Sequence, residues 1–143
     1  MPHRSRFSAK IARASQMSRQ DWRDLFAAIH ELWRANRTLR RKGLSELVPD
    51  QSVAHCRSEV ETEALLSRVS VAVERAARHV PWRSSCLVQA QAAQSWLARE
   101  GIASQIRFGL DETQSGPFEA HAWLLADGRV ITGGEISHYT PFS

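Results

Sequence analysis

The chain has 143 residues, of which 43% are hydrophobic and 24% charged, and a formal charge of +4. That length suits one domain, and the composition is that of a globular protein rather than a low-complexity or disordered one. No run of about 18 apolar residues exists to cross a membrane. The basic, Ser-rich start lacks the apolar centre of a secretory signal, so a cytoplasmic location is expected.

Charge is unevenly spread. Residues 1–42 carry 11 of the 19 Lys and Arg and 3 of the 15 acids, a net +8, which leaves −4 for the rest. Residues 1–17 show no clean period and read as a mobile basic tail, with 18–143 as a single domain. Ser18-x-x-Asp21 has the form of a capping box and starts a helix. Trp22, Leu25, Phe26, Ile29, Leu32 and Trp33, extended by Leu39, form an amphipathic stripe that belongs in a core or against a partner. Arg40, Arg41 and Lys42 suit the last turn and Gly43 the stop.

Leu44 to Arg57 reads as a connector containing Pro49. A second helix is predicted from about Ser58 to His79, with Val60, Ala64, Leu65, Val69, Ala72, Val73, Ala76 and Ala77 on one face, and Pro81 ends it. A third runs from about Cys86 to Arg99, with Ser84 or Ser85 as N-cap and Gly101 as the stop. Its face of Leu87, Ala90, Ala93 and Leu97 is rich in alanine, which lets a helix lie close against a sheet. From there the period becomes two: Ile106, Phe108 and Leu110 alternate with Gln105, Arg107 and Gly109. A polar loop, Asp111 to Pro117, precedes a strand from Glu119 to Leu125. Ala126-Asp127-Gly128 makes a hairpin turn, and a third strand covers Arg129 to Thr132 before Gly133-Gly134 breaks it. The fold class is therefore α+β, with N-terminal helices packed on a small antiparallel sheet.

Cys86 opens a helix, where orphan N–H groups and the macrodipole favour an anion, and so a nucleophilic thiolate. The N–H groups of Cys86 and Leu87 could line an oxyanion hole. Of the histidines, His3 is in the tail, His30 and His79 are on helices, His55 is in the connector and His138 is near the C-terminus. Only His121 lies on a strand, between two alanines that leave room for its ring. A cysteine at a helix start and a histidine on a later strand is how a papain- or transglutaminase-type site is assembled. The third member, which orients the imidazole, is expected to be Glu135, with Asp127 as the fallback. A neighbouring hydroxyl or amide, or a backbone carbonyl, is the other option. Cys56 and Cys86 have no export signal to favour a disulfide, and no Cys-x-x-Cys or His-x-x-x-His spacing supports a metal site.

Pro81-Trp82-Arg83-Ser84-Ser85-Cys86-Leu87, Leu97-Ala98-Arg99-Glu100-Gly101-Ile102, Arg107-Phe108-Gly109, Glu119-Ala120-His121-Ala122-Trp123, Asp127-Gly128-Arg129-Val130-Ile131 and Tyr139-Thr140-Pro141 occur in that order. Together they resemble the transglutaminase-like leader peptidases of lasso-peptide biosynthesis, here as the stand-alone C-terminal half of the fused maturation protein. The resemblance covers nearly the whole chain and is strongest from Pro81 to Pro141. It implies a papain/transglutaminase-like cysteine peptidase core that removes the leader from a ribosomal precursor peptide, with Cys86 as nucleophile and His121 as base. Trp82, Leu87 and Trp123 would serve the substrate or the oxyanion. Where many relatives have an aspartate after the histidine hairpin, this chain reads Gly133-Gly134-Glu135. Implied partners are the precursor, a separate leader-binding protein and an asparagine-synthetase-like cyclase. Neither membrane nor nucleic acid is expected as a partner. No cofactor is implied on this chain, and ATP use by the wider system is left open. Two other readings stand beside this one: a transglutaminase-type acyltransferase or amidase, and a non-catalytic basic helical binding module using residues 1–42.

Overall fold

A computed structural model describes residues 16–43, 57–111, 120–137 and 139–141. The tail before residue 16, the connector 44–56 with His55 and Cys56, the loop 112–119 with Glu119, and His138 lie outside the described residues. Three helices precede four strands: α1 (Arg19–Lys42), α2 (Glu59–Ala77), α3 (Cys86–Arg99), β1 (Gln105–Asp111), β2 (Ala120–Ala126), β3 (Arg129–Thr132) and β4 (Tyr139–Pro141). The α+β layout read from the sequence is the observed one.

Each helix starts at a serine with extended backbone. Ser18 and Ser58 make full capping boxes with Asp21 and Glu61, and Ser85 Oγ accepts from Val88 N at 3.3 Å. These bonds satisfy donors that a helix leaves orphaned, each contributing about 1 kcal/mol. Gly43 closes α1 at φ 63°.

Helix α3 is buried on several sides at once, through Val88, Ala90, Gln91, Ala92, Ala93, Trp96 and Leu97. It packs on α1, on α2 and on the sheet. Its alanines admit close approach, and this decides how α1 sits. The core face of α1 is Ala28, Leu32 and Ala35, not the whole stripe of larger residues. Trp22, Phe26 and Trp33 fall on the side of the helix away from that face and are exposed. On α2 the buried face is Leu65, Leu66, Val69, Ala72, Val73 and Ala76, while Val60 stays exposed. Two ion pairs tie the helices: Arg68 of α2 grips Asp24 at 2.7 Å, and Arg99 of α3 meets the buried Glu31 at 2.6 Å.

The sheet runs β3-β2-β1-β4, with every neighbour antiparallel. The first three strands form the expected meander. The fourth, which no period in the sequence marks, crosses to pair with β1, Leu110 opposite Thr140. Asp127 and Gly128, both at positive φ, turn β2 into β3. Ala122, Leu124 and Ala126 alternate along β2 and are buried, and Leu124 and Ala126 join the helices in the core.

Candidate active site

Cys86 is the first residue of α3 and is half-buried, with a free thiol. The first-turn N–H groups of Cys86 and Leu87 precede the bond from Gln89 N to Ser85 O that begins the helix ladder. The first turns of α1 and α2 hold carboxylates, Asp21 in one and Glu59 and Glu61 in the other. The first turn of α3 holds none. No acid of its own first turn therefore offsets the positive end of the dipole at Cys86.

His121 enters from β2. It alternates with Ala122, so it belongs to the side of the strand that also carries Trp123. There its ring stacks on Tyr139 of β4 at 4.6 Å between centroids and lies 6.1 Å from Trp123. Its Nε2 is 2.6 Å from the Gly133 carbonyl oxygen. A carbonyl can only accept, so Nε2 carries the proton and donates it; the neutral ring then keeps its lone pair on Nδ1.

The backbone at Gly133 is shaped for this contact. Its φ is 110°, and a Cβ there would lie 2.4 Å from Trp123 Cβ. Glycine is the residue that lets the chain cross Trp123 this closely while aiming its carbonyl at the imidazole.

Cys86 and His121 line one pocket of about 390 Å³. Ser70 and Glu74 of α2, Gln89 of α3, and Val130, Ile131, Thr132, Gly133 and Gly134 complete it. No hydrogen bond joins the thiol to the ring; the imidazole is engaged by Gly133 and Tyr139 instead. Ser70 Oγ donates to Ile131 O at 2.8 Å, pinning α2 to the bulged strand, and Glu74 pairs with Arg78 at the surface. Thr132 is 7% exposed, and its buried hydroxyl has no partner in the protein.

The other residues singled out from the sequence lie outside this pocket. Glu135 is exposed, and its Oε1 accepts the Ser137 N–H at 3.1 Å. Asp127 is at the exposed hairpin tip. Leu87 is half-buried in the first turn of α3, and Trp82 packs on the helical core with its indole N–H buried. Trp123 is 2% exposed, beneath Gly133 and beside Gly109. None of these five side chains lines the pocket. Sequence reasoning missed Ser70, Glu74, Gln89 and Thr132. Gln89 follows Cys86 by three and shares its helix face, a signal that could have found it. Ser70 and Glu74 carry no local mark, since only the packing of α2 on β3 brings them here.

A larger groove, about 770 Å³, opens elsewhere, among the helices. Its charges largely satisfy each other, Asp24 with Arg68 and Glu100 with Arg57. Among the described residues no group of histidines, cysteines and carboxylates is arranged to hold a metal ion, and no helix is long and apolar enough to cross a membrane.

Residues 31–143 match the model of the family described as Transglutaminase-like superfamily. No curated protein and no solved structure matches the chain.

Proposed function

The chain belongs to the transglutaminase-like superfamily, which includes cysteine peptidases and acyltransferases, and from that premise we propose that it is a cysteine peptidase removing the leader from a ribosomally made lasso-peptide precursor. The observation that carries this reading is that Cys86, at the start of α3, and His121, on β2, line one pocket. The motif resemblance from Pro81 to Pro141 supports the substrate class.

In the proposed reaction the Cys86 thiol first passes its proton to His121 Nδ1, and the resulting thiolate attacks the carbonyl carbon at the leader's end. A C–S bond forms, and the oxyanion faces the first-turn N–H groups of Cys86 and Leu87. The C–N bond breaks as His121 gives its proton to the leaving amine. Water then attacks the thioester as His121 takes a proton from it, the C–S bond breaks to release the leader acid, and His121 returns the proton to the sulfur to restore the thiol. With Nε2 committed to Gly133, Nδ1 is the nitrogen left to exchange protons. Since no bond joins ring and thiol in the unliganded protein, the ring approaches the sulfur on substrate binding, as catalytic hydrogen bonds often tighten only in the complex. The thiol needs a reducing compartment, which fits the cytoplasm.

The test is mass spectrometry of a cognate precursor incubated with this protein and its leader-binding partner, beside Cys86→Ala. Cleavage at one leader–core junction by the wild type alone supports the peptidase. Transfer of the acyl group to an added amine would favour an acyltransferase. Equal cleavage by Cys86→Ala would remove Cys86 from the reaction.

A further inference from the structure

The outward face of α1 carries three large aromatic side chains in solvent: Trp22 is 39% exposed, Phe26 64% and Trp33 44%. Trp22, Phe26, Ile29 and Trp33 are spaced four, three and four residues apart, the d-a-d-a seam of a heptad repeat, with Ile29 half-buried at its inner edge, where it also packs against the core. That seam is one helix wide and runs about 16 Å along the axis. The ridge is ordered by its own contacts. Trp22 and Phe26 lie 6.0 Å apart, and the Arg37 guanidinium sits over Trp33 at 5.3 Å.

The two edges of the seam differ. One is Leu25, Leu32 and Leu39, which turn into the protein's own core. The other is Arg23, His30 and Arg37, all exposed and all basic or protonatable. The acids of α1 are already engaged: Asp21 closes the cap, Asp24 is held by Arg68, and the buried Glu31 meets Arg99 and, at 3.5 Å, His30. A partner on this face therefore meets an aromatic seam with a single cationic rim.

We propose that the Trp22–Phe26–Ile29–Trp33 seam of α1 is a docking site for an acidic amphipathic helix of a partner protein. The heptad spacing selects a helix as the occupant, and the rim selects acidic residues along the edge facing Arg23, His30 and Arg37. A second copy of this chain is disfavoured, because it would set arginine rim against arginine rim. The site does not touch the Cys86 pocket, and its test uses no activity.

The probe is a synthetic three-heptad peptide with Ile and Leu at a and d and Glu at e and g, titrated into the full-length protein by calorimetry and tryptophan fluorescence. Its control is the same peptide with Lys at e and g. The Glu peptide is expected to bind with a Kd of about 10–100 μM, weakening with salt, and the Lys peptide about tenfold or more weakly. Trp22→Ser with Trp33→Ser should weaken binding by about tenfold or more. Arg23→Glu with Arg37→Glu should reverse the preference between the peptides. All four positions are exposed, and an unchanged melting temperature certifies the fold. No saturable binding of the Glu peptide, or equal binding of both peptides, overturns the proposal. So does binding to phosphatidylglycerol vesicles or duplex DNA that the Glu peptide does not compete away. A dimer in sedimentation that Trp22→Ser disperses would assign the face to a second copy instead.

Discussion

His121 donates from Nε2 to the Gly133 carbonyl at 2.6 Å, and Gly133 can be there only because it has no side chain to meet Trp123. The orientation of the candidate base is thus set by backbone, and backbone geometry at one glycine becomes a variable of the proposed reaction.

Gly133→Ala is the direct test of that link. Its Cβ would collide with Trp123 Cβ, and its φ of 110° strains any other residue. We expect a loss of about 2–4 kcal/mol in stability. The fraction still folded at low temperature should show kcat reduced by about tenfold or more. Urea denaturation and single-turnover cleavage measure the two separately.

Replacing Glu135 by Gln asks whether a carboxylate orients the ring. With Gly133 O as the acceptor of the Nε2 proton, kcat/KM is expected to stay within about threefold of wild type. A loss near 10⁴-fold, as when a triad carboxylate is neutralised, would assign that role to Glu135.

Thr132→Val removes the unpartnered hydroxyl from the pocket wall with little change of shape. A buried hydroxyl without a partner costs about 1–3 kcal/mol, so the folded protein should be no less stable, or slightly more so. If bound peptide supplies the missing partner, KM rises by about tenfold while kcat changes little, and Thr132→Ser restores it. A melting temperature that falls with unchanged kinetics would point to a buried water instead.

Acid should loosen α1 from α2. The Arg68 guanidinium, with help from Gln20, holds the Asp24 carboxyl below its ordinary value of 3.8, against the opposing effect of burial. A carboxyl lowered in the folded state adds stability that is fully present above its unfolded value. That stability is lost as pH falls below about 3.8, through the folded value. Thermal melts at pH 7 and pH 3 should show this loss, and Asp24→Asn should lessen the difference while costing about 1.5–3 kcal/mol at pH 7. Asp21 and Glu61, lowered by their capping bonds to Ser18 and Ser58, leave some acid sensitivity in the variant.

Helix starts and the hairpin were readable because their signals are local: Ser18, Ser58 and Ser85 cap within three residues, and Asp127-Gly128 turns within two. Cys86 and His121 were readable for the same reason, each marked by its own element. What failed was tertiary. The stripe on α1 has the period of a helix, but period alone does not say which part of a broad apolar face meets an alanine-rich neighbour. β4 escaped because three residues make no pattern, and its pairing with β1 depends on a crossover. Gly133 was visible as a strand breaker; that its carbonyl would reach His121, 12 residues earlier, was not.

Helix α3 is enclosed by α1, α2 and the sheet, whereas Tyr139, which stacks on His121, belongs to a three-residue edge strand whose Thr140 and Pro141 are exposed. In hydrogen exchange the amides of α3 past its first turn would open only with global unfolding, and the β4 edge would open by fraying. The thiol therefore stands at the mouth of the slowest-exchanging helix, while the imidazole, held on the inner strand β2, has its stacking partner on the strand that frays first. Fraying of β4 would lift the Tyr139 ring from the imidazole and leave its bond to Gly133 in place.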